Sequence, residues 1–485
     1  MPAPHANPTT FLHWLDNQGH YLLRLGRQTR RFIFHLPWLL VWLVRQAFLF
    51  VAQAFRTLHS GCLLILSQHR ARRQDPRRPR FYLIDPSYED DVGHYRGVSV
   101  ALARECAARG WTYFHLTGPL DRRAPAGRLR FFHHPGRLPI RQFDYETELD
   151  RVRYVRRATR RALRRLSRQL RLLFALDRAL FHDGQSLFFF YTGDLLFLWS
   201  LLNGGRLGPR QHLALFQFTL PTAFDSPLGR NRFQRHARLL AHRLASSDSA
   251  ARIHLCSDSP PLQRWLAPTL GRWIVPAHPP LLEPADLDPW PTSADLAERP
   301  HPCGYFGYLT PKHGWSIVHQ LLRDRAGQNT RWLLALNPKR CEPPDLEAAR
   351  RAAQLAGATL RLGFMSVDQY AAALDLCSAI LLPYASGQYA MISSGKLIDA
   401  LTHACFPVVP ANTWLAEIVQ TIGYGLVVSE NDWPLVPARL AALNLPALWA
   451  LHQARVREFV SQFTASHLLT ELSRLTFAPP SGPSA

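Results

Sequence analysis

From residue 81 onward the chain alternates short apolar runs with longer stretches of helical period. This alternation restricts the fold more than any other feature of the sequence. FYLID (81–85), WTYFHL (111–116), SLFFFY (186–191), HLALFQF (212–218), ARIHLCS (251–257) and RWIVPA (272–277) read as strands, with a helix over His94 to Arg109 between the first two. After a Pro-rich junction at roughly 278–303 the rhythm restarts with CGYFGYL and a helix from about Gly314. RWLLALN (331–337), TLRLGF (359–364), AILLPY (379–384), FPVVP (406–410) and YGLVVS (424–429) follow as strands, and a helical stretch from about Pro446 to Arg474 closes the body. Apolar strands separated by helices are the mark of mainly parallel sheets. The reading is therefore a segment at 1–76, an α/β domain at 77–280, a second at 281–475 and a flexible tail at 476–485. Two such domains joined by a junction imply an interdomain cleft, a common seat for ligands.

Residues 1–76 stand apart, with RRQDPRRPR (72–80) as a polar linker after them. Phe32 to Val44 form an uncharged run of 13 residues before Arg45, short of the roughly 20 that cross a bilayer cleanly. At helical pitch Arg24, Gln28, Arg31, His35, Arg45, Gln53 and Arg56 share one arc, and Leu, Phe and Trp fill most of the rest. That is the pattern of a helix lying in a membrane interface, kinked at Pro37. A helix packed on its own protein body, or a single or re-entrant span around Arg45, are the alternatives. Met1 to Gln18 lack the basic start and apolar core of a standard signal peptide.

Charge becomes informative at this point. Lys and Arg number 57 against 35 Asp and Glu, a formal net charge of +22, and only Lys312, Lys339 and Lys396 are lysines. Ten arginines lie between Arg151 and Arg171, nine of them on one broad side of a helix with Val152, Val155, Leu163, Leu166, Leu170 and Leu173 opposite. An anionic membrane surface or acidic acceptor fits the arginine side, and a solvated face fits it equally. A basic nucleic-acid binder is a rival reading, but not an expected one: composition alone carries it, and no zinc finger or aromatic RNA-binding motif accompanies the charge. The seven cysteines are widely spaced and form no C-x2-C pair, which fits a reducing compartment and gives no metal site.

Three strand-to-helix junctions carry residues suited to chemistry. IDPSYEDDVGHYRG (84–97) places Gly93 where backbone can approach a ligand closely and His94 where it can act as a polar contact or proton carrier. An ordinary turn explains it as well. FGYLTPKHG (306–314) joins Tyr308, Lys312 and His313 to a helix start, an arrangement for a diphosphate. YASGQYAMISSGKLIDALTHACFPVV (384–409) leads through Ser393, Ser394 and Gly395 into a helix, with Asp399 about one turn in. Helix-start amides and hydroxyls there can receive phosphate, and Asp399 can accept from ribose hydroxyls. The simpler reading is a helix capped by Ser394. His115 is a lesser candidate, as are Asp194 and Asp258, each suited to an acceptor or to capping the helix that follows. Phe216 and Phe218 read as core.

The last of these segments resembles the donor-binding part of GT-B glycosyltransferases, in particular the retaining glycosyltransferase family four. Its members carry a pattern near S-G-x-x-x-E-A, then G-x-P-V-V and a G-x-G-L-V-V-like strand. This chain has Ser394-Gly395, Asp399-Ala400, Phe406-Pro407-Val408-Val409 and Gly423-Tyr424-Gly425-Leu426-Val427-Val428. The chain departs from the family at Met391, where the first glutamate of E-x7-E is usual, and at Tyr308 and His313, where an arginine and a lysine are usual. Lys312 falls one position early.

The resemblance implies two Rossmann-like α/β domains facing a cleft; the N-terminal amphipathic helical extension at 1–76 lies outside it. It implies sugar transfer from a nucleotide-sugar donor to a glycan or lipid-linked acceptor, in bacterial envelope or exopolysaccharide synthesis, with configuration retained. Catalytic candidates are His94, His115, Lys312 and His313; donor contacts are Gly93, Tyr308, Lys312, His313, Ser393, Ser394, Gly395 and Asp399. No cofactor and no metal are expected. Expected partners are the donor, the acceptor, an anionic membrane surface and polysaccharide-assembly proteins. The expected location is cytoplasmic, peripheral on the inner face of the cytoplasmic membrane. A noncatalytic GT-B-like scaffold in polysaccharide assembly is the alternative. A sugar-nucleotide epimerase sharing the fold is a smaller one.

Overall fold

The structure is a computed structural model, and it describes residues 77–85, 94–117, 128–130, 167, 170–179, 184–191, 195–202, 207–216, 227–324, 330–337 and 343–476. The segment 1–76, Gly93, Asp194, Phe218, most of the arginine-rich stretch 151–171 and the tail lie outside these residues. So do the side chains of His94 and Lys312.

Among the described residues thirteen strands form two parallel sheets, as the alternation of apolar runs and helices requires. The first contains β1 (Arg80–Asp85), β2 (Thr112–Thr117), β3 (Arg128–Arg130), β4 (Ser186–Phe190), β5 (Gln211–Leu215), β6 (Ile253–Ser257) and β7 (Ile274–Pro276). Their order across the sheet is β3-β2-β1-β4-β5-β6-β7. The second contains β8 (His301–Tyr308), β9 (Trp332–Asn337), β10 (Thr359–Leu362), β11 (Cys377–Leu381), β12 (Phe406–Pro410) and β13 (Leu426–Val428), in the order β10-β9-β8-β11-β12-β13. β1 pairs with both β2 and β4, and β8 with both β9 and β11. At each of these points successive connections leave in opposite directions. Such a switch point opens a crevice beyond the strand ends, where α/β sheets bind ligands.

The core follows from the strand sequences. Leu187, Phe188 and Phe189 of β4 and Trp332, Leu333 and Leu334 of β9 are fully buried, as strands covered on both faces must be. Phe216 is buried beyond the end of β5. Of the arginine-rich helix, 170–179 is helical, with Leu170 and Leu173 buried as the wheel required.

Several boundaries differ from the sequence reading. β11 ends at Leu381 rather than Tyr384, so Pro383 and Tyr384 belong to a loop. The stretch after Pro446 is two helices, Leu445–Ser461 and Ala465–Thr476. The second of them packs Ala465, Leu468, Leu469 and Leu472 into the core of the first sheet, with Phe81, Leu83 and Leu102. β3 has no counterpart among the predicted strands: RLR carries no apolar run to mark it.

At the opposite edge from the strand C-termini, Arg80 and Asp177 form an ion pair of 3.1 Å, both side chains 2% exposed. Tyr82 Oη donates to the same carboxylate at 2.7 Å, Ser186 Oγ at 2.8 Å and Gln211 Nε2 at 2.7 Å. Arg80 Nη2 is satisfied by the Gly184 carbonyl at 2.9 Å. Every member has a partner, the condition under which a buried ionic network is tolerated.

Among the described residues no single helix is long and apolar enough to cross a membrane.

Candidate functional site at the β8–β11 switch point

Beyond the ends of β8 and β11 two loops meet. Gly314 terminates the turn Pro311–His313 at φ 73° and starts the helix Trp315–Arg323. A Cβ at Gly314 would stand 1.8 Å from the Pro383 carbonyl oxygen, so glycine is required both for the left-handed backbone and for the contact between loops. The Tyr305 hydroxyl donates to the Tyr308 carbonyl at 3.0 Å and the His313 carbonyl at 3.2 Å, which fixes the first loop from below. Thr310 Oγ1 and His313 Nδ1 lie 2.6 Å apart. The His313 ring lies between aromatic neighbours, 5.3 Å from Tyr308 and 5.9 Å from Tyr384 by centroids, and Tyr384 stacks on Tyr389 at 4.2 Å.

The second loop delivers the helix Gly395–Thr402. Ser394 occupies its N-cap position with extended backbone but makes no side-chain cap hydrogen bond. Its hydroxyl is hydrogen-bonded to the Tyr384 phenol instead, and burial holds that phenol well above its ordinary range. The expectation of a Ser394-capped helix is therefore corrected. Elsewhere in the chain Ser259, Thr292, Ser366, Thr413 and Asn444 do cap their helices with side-chain oxygens. At the far end of the Gly395 helix Arg299 Nη2 donates to the His403 carbonyl at 2.7 Å, neutralising the negative pole and leaving the positive one toward the crevice.

Lys396 reaches back under the end of β8, where its ammonium donates to the Phe306 carbonyl at 2.5 Å. A Cβ at Gly307, the penultimate residue of β8, would stand 3.3 Å from Lys396 Nζ and 3.2 Å from the Tyr305 hydroxyl, so glycine leaves room for both. Desolvation pushes the ammonium down to about 8, and the Asp399 carboxylate partly opposes this. Asp399 is hydrogen-bonded to Tyr370, whose phenol burial raises first and the carboxylate raises further. Asp399 thus serves Tyr370 and Lys396 in this structure.

Asp258 enters from the other sheet. It follows β6, is 7% exposed, and is hydrogen-bonded to Ser393; burial pushes its carboxyl up to about 6 despite that bond. Its carbonyl accepts from Trp414 Nε1 at 3.1 Å. Asp258 does not cap the helix Pro260–Leu270, because Ser259 does.

The structure brings Tyr308, His313, Ser393, Ser394, Gly395 and Asp399 into two touching loops and one helix start. His115 pairs with Leu83 across the first sheet and is 2% exposed, with Tyr113 beside it at 6.5 Å. His94 opens the helix His94–Ala108 after β1. Sequence reading missed Tyr305, Thr310 and Tyr370 as site residues. The Y-x-G alternation of β8 places Tyr305 and Gly307 on one face and was a usable signal; Tyr370 had none, since it joins the site only through tertiary packing. Among the described residues, no three His, Cys, Asp or Glu side chains gather as a metal site.

No protein-family model and no curated protein matches the sequence. Solved structures do match along most of the chain. A sucrose-phosphate synthase from Thermosynechococcus elongatus is 15% identical, covers 83% of this chain and 100% of its own, and superposes with a TM-score of 0.52. An α,α-trehalose 6-phosphate synthase from Burkholderia multivorans is 12% identical over 83% of this chain and 99% of its own, at 0.53. A trehalose-6-phosphate protein from E. coli, bound with UDP-2-fluoro glucose, is 10% identical over 82% and 99%, also at 0.53. The protein thus has the GT-B fold of glycosyltransferases, two Rossmann-like sheets each with a switch point, as its sequence motifs implied.

Proposed function

We propose that this protein is a glycosyltransferase that binds a nucleotide-sugar at the β8–β11 switch point and passes the sugar to a glycan or lipid-linked acceptor. The supporting observation is the helix start at Gly395: it has no side-chain cap, its positive pole faces the crevice, and Lys396 lies beside it. Helix-start amides, the Ser393 hydroxyl and the ammonium suit a departing diphosphate, whose growing charge is the most valuable one to stabilise. His313 and Tyr308 line the facing loop, and the acceptor enters from the first sheet, where Gly93 and His94 follow β1. Closure of the lobes expels water and limits donor hydrolysis.

Retention of configuration without an essential metal belongs to this reading, as does envelope or exopolysaccharide synthesis. So does attachment of the arginine-rich segments to the anionic inner face of the cytoplasmic membrane beside polysaccharide-assembly proteins. A noncatalytic scaffold is the second reading, favoured by Met391 in place of a carboxylate. Titration calorimetry with UDP-, GDP- and ADP-sugars, followed by transfer to lipid extracts, tests both. Donor binding with a sugar-bearing product supports the enzyme. Association with polysaccharide-assembly proteins without donor binding supports the scaffold, and no binding by any donor refutes the enzyme.

A further inference from the structure

Asp258, a buried carboxyl group at the candidate site, has no role in the reading above. Asp258 belongs to the first sheet, yet both its backbone and its side chain are held by the second lobe. Trp414 Nε1 binds its carbonyl at 3.1 Å, and Ser393 binds its carboxyl. One carboxyl oxygen, Oδ2, is buried with no hydrogen-bond partner among the described residues. Ser393 is two residues ahead of Gly395, so the Asp258 carboxyl lies at the positive pole of the uncapped helix. That is where an anion is attracted.

We propose that Asp258 is a positioning residue of the donor site: it holds Ser393 at the lip of the Gly395 helix, and its ionised form competes with a nucleoside diphosphate for that hydroxyl and that pole. The inference rests on the donor reading of the site. Its physics is direct. A Ser393 hydroxyl that donates to a carboxylate is not available to a phosphate oxygen, and two anions at one helix start repel each other in a poorly solvated crevice. Diphosphate binding therefore takes up a proton on Asp258 or breaks its bond to Ser393.

The charged and titratable groups around Asp258 do not supply an alternative partner. Arg264 of the following helix pairs outward with Glu417 at 2.6 Å, and Glu417 belongs to the same helix as Trp414. Lys396 is turned to Phe306, and the phenols of Tyr384 and Tyr389 are held neutral by burial. No charged side chain contributes to the Asp258 carboxyl, which burial raises to about 6 and Ser393 partly lowers.

The test uses the full chain and Asp258→Asn, which keeps an acceptor for Ser393 but carries no charge. UDP, GDP and ADP are titrated at pH 7.5 and pH 5.5. Asp258→Asn is expected to bind the preferred nucleotide at least fivefold more tightly than wild type at pH 7.5, and the difference closes at pH 5.5. Ser393→Ala, which removes the contested hydroxyl, is expected to show less than half of the wild-type change with pH. Melting temperatures without nucleotide give an independent readout. A carboxyl raised in the folded state stabilises at low pH and loses that stability as pH rises through about 6. Wild type should therefore fall relative to Asp258→Asn between pH 4 and pH 7. If nucleotides bind both proteins with the same affinity and pH dependence, the inference is overturned and the donor reading stands. If the melting difference appears but no nucleotide binds either protein, the donor reading falls and the inference with it.

Discussion

Replacing Lys396 with Met separates stability from function at the candidate site. The ammonium is partly buried, and its pKa falls from 10.5 to about 8 mainly by desolvation. At about 1.4 kcal/mol per pKa unit the fall corresponds to about 3 kcal/mol, and discounting for partial exposure leaves about 2 kcal/mol. The sign follows from linkage. Between pH 8 and 10.5 the unfolded chain keeps a proton that the folded one has lost, so stability rises with pH across that window. Below pH 8 the full cost of holding the charged lysine is present.

Lys396→Met keeps the length of the apolar stem without the ammonium. It should raise unfolding free energy at pH 7 by about 1–2 kcal/mol, since the lost hydrogen bond to Phe306 returns about 1 kcal/mol of the gain. The advantage over wild type should shrink between pH 8 and 10. Urea unfolding at pH 7, 8, 9 and 10 measures both. The same variant should weaken nucleotide binding at least tenfold, the trade expected where function requires a strained group. A variant that loses more than about 1 kcal/mol at pH 7 while binding nucleotides normally would refute the reasoning, because Lys396 would then be a structural residue outside the donor site.

Three further substitutions test the scaffold. Asp177→Ala strands the buried Arg80 guanidinium and removes an acceptor from Tyr82 and Gln211, so urea unfolding should show a loss of about 3–5 kcal/mol. Gly314→Ala sets a Cβ 1.8 Å from the Pro383 carbonyl at φ 73°, so it should lower the melting temperature and abolish nucleotide binding as the two loops separate. Glu417→Gln removes the exposed pair to Arg264 and should cost under about 1 kcal/mol by the same urea assay; a larger loss would make that pair a principal tie between the lobes.

The sequence determined the architecture because parallel strands covered on both faces must be apolar along their length. Runs such as SLFFF and WLLALN therefore announced themselves, and the helices between them fixed parallel order. It also placed the loop of the candidate site, since a strand, two serines, a glycine and an amphipathic helix form a local signal. What each polar side chain does was settled only by tertiary structure. Ser394 has every local feature of a cap, yet the Tyr384 phenol draws its hydroxyl away. Lys396 reads as a surface cation at a helix start, but its stem carries the ammonium to a carbonyl 90 residues away in sequence. Asp258 and Ser393 meet across two sheets, and neither residue's neighbours in the chain announce the pairing. Apolar periodicity is written locally because burial acts on every residue of an element. A hydrogen bond acts between two atoms, and which two come within reach is decided by the packing of the whole chain.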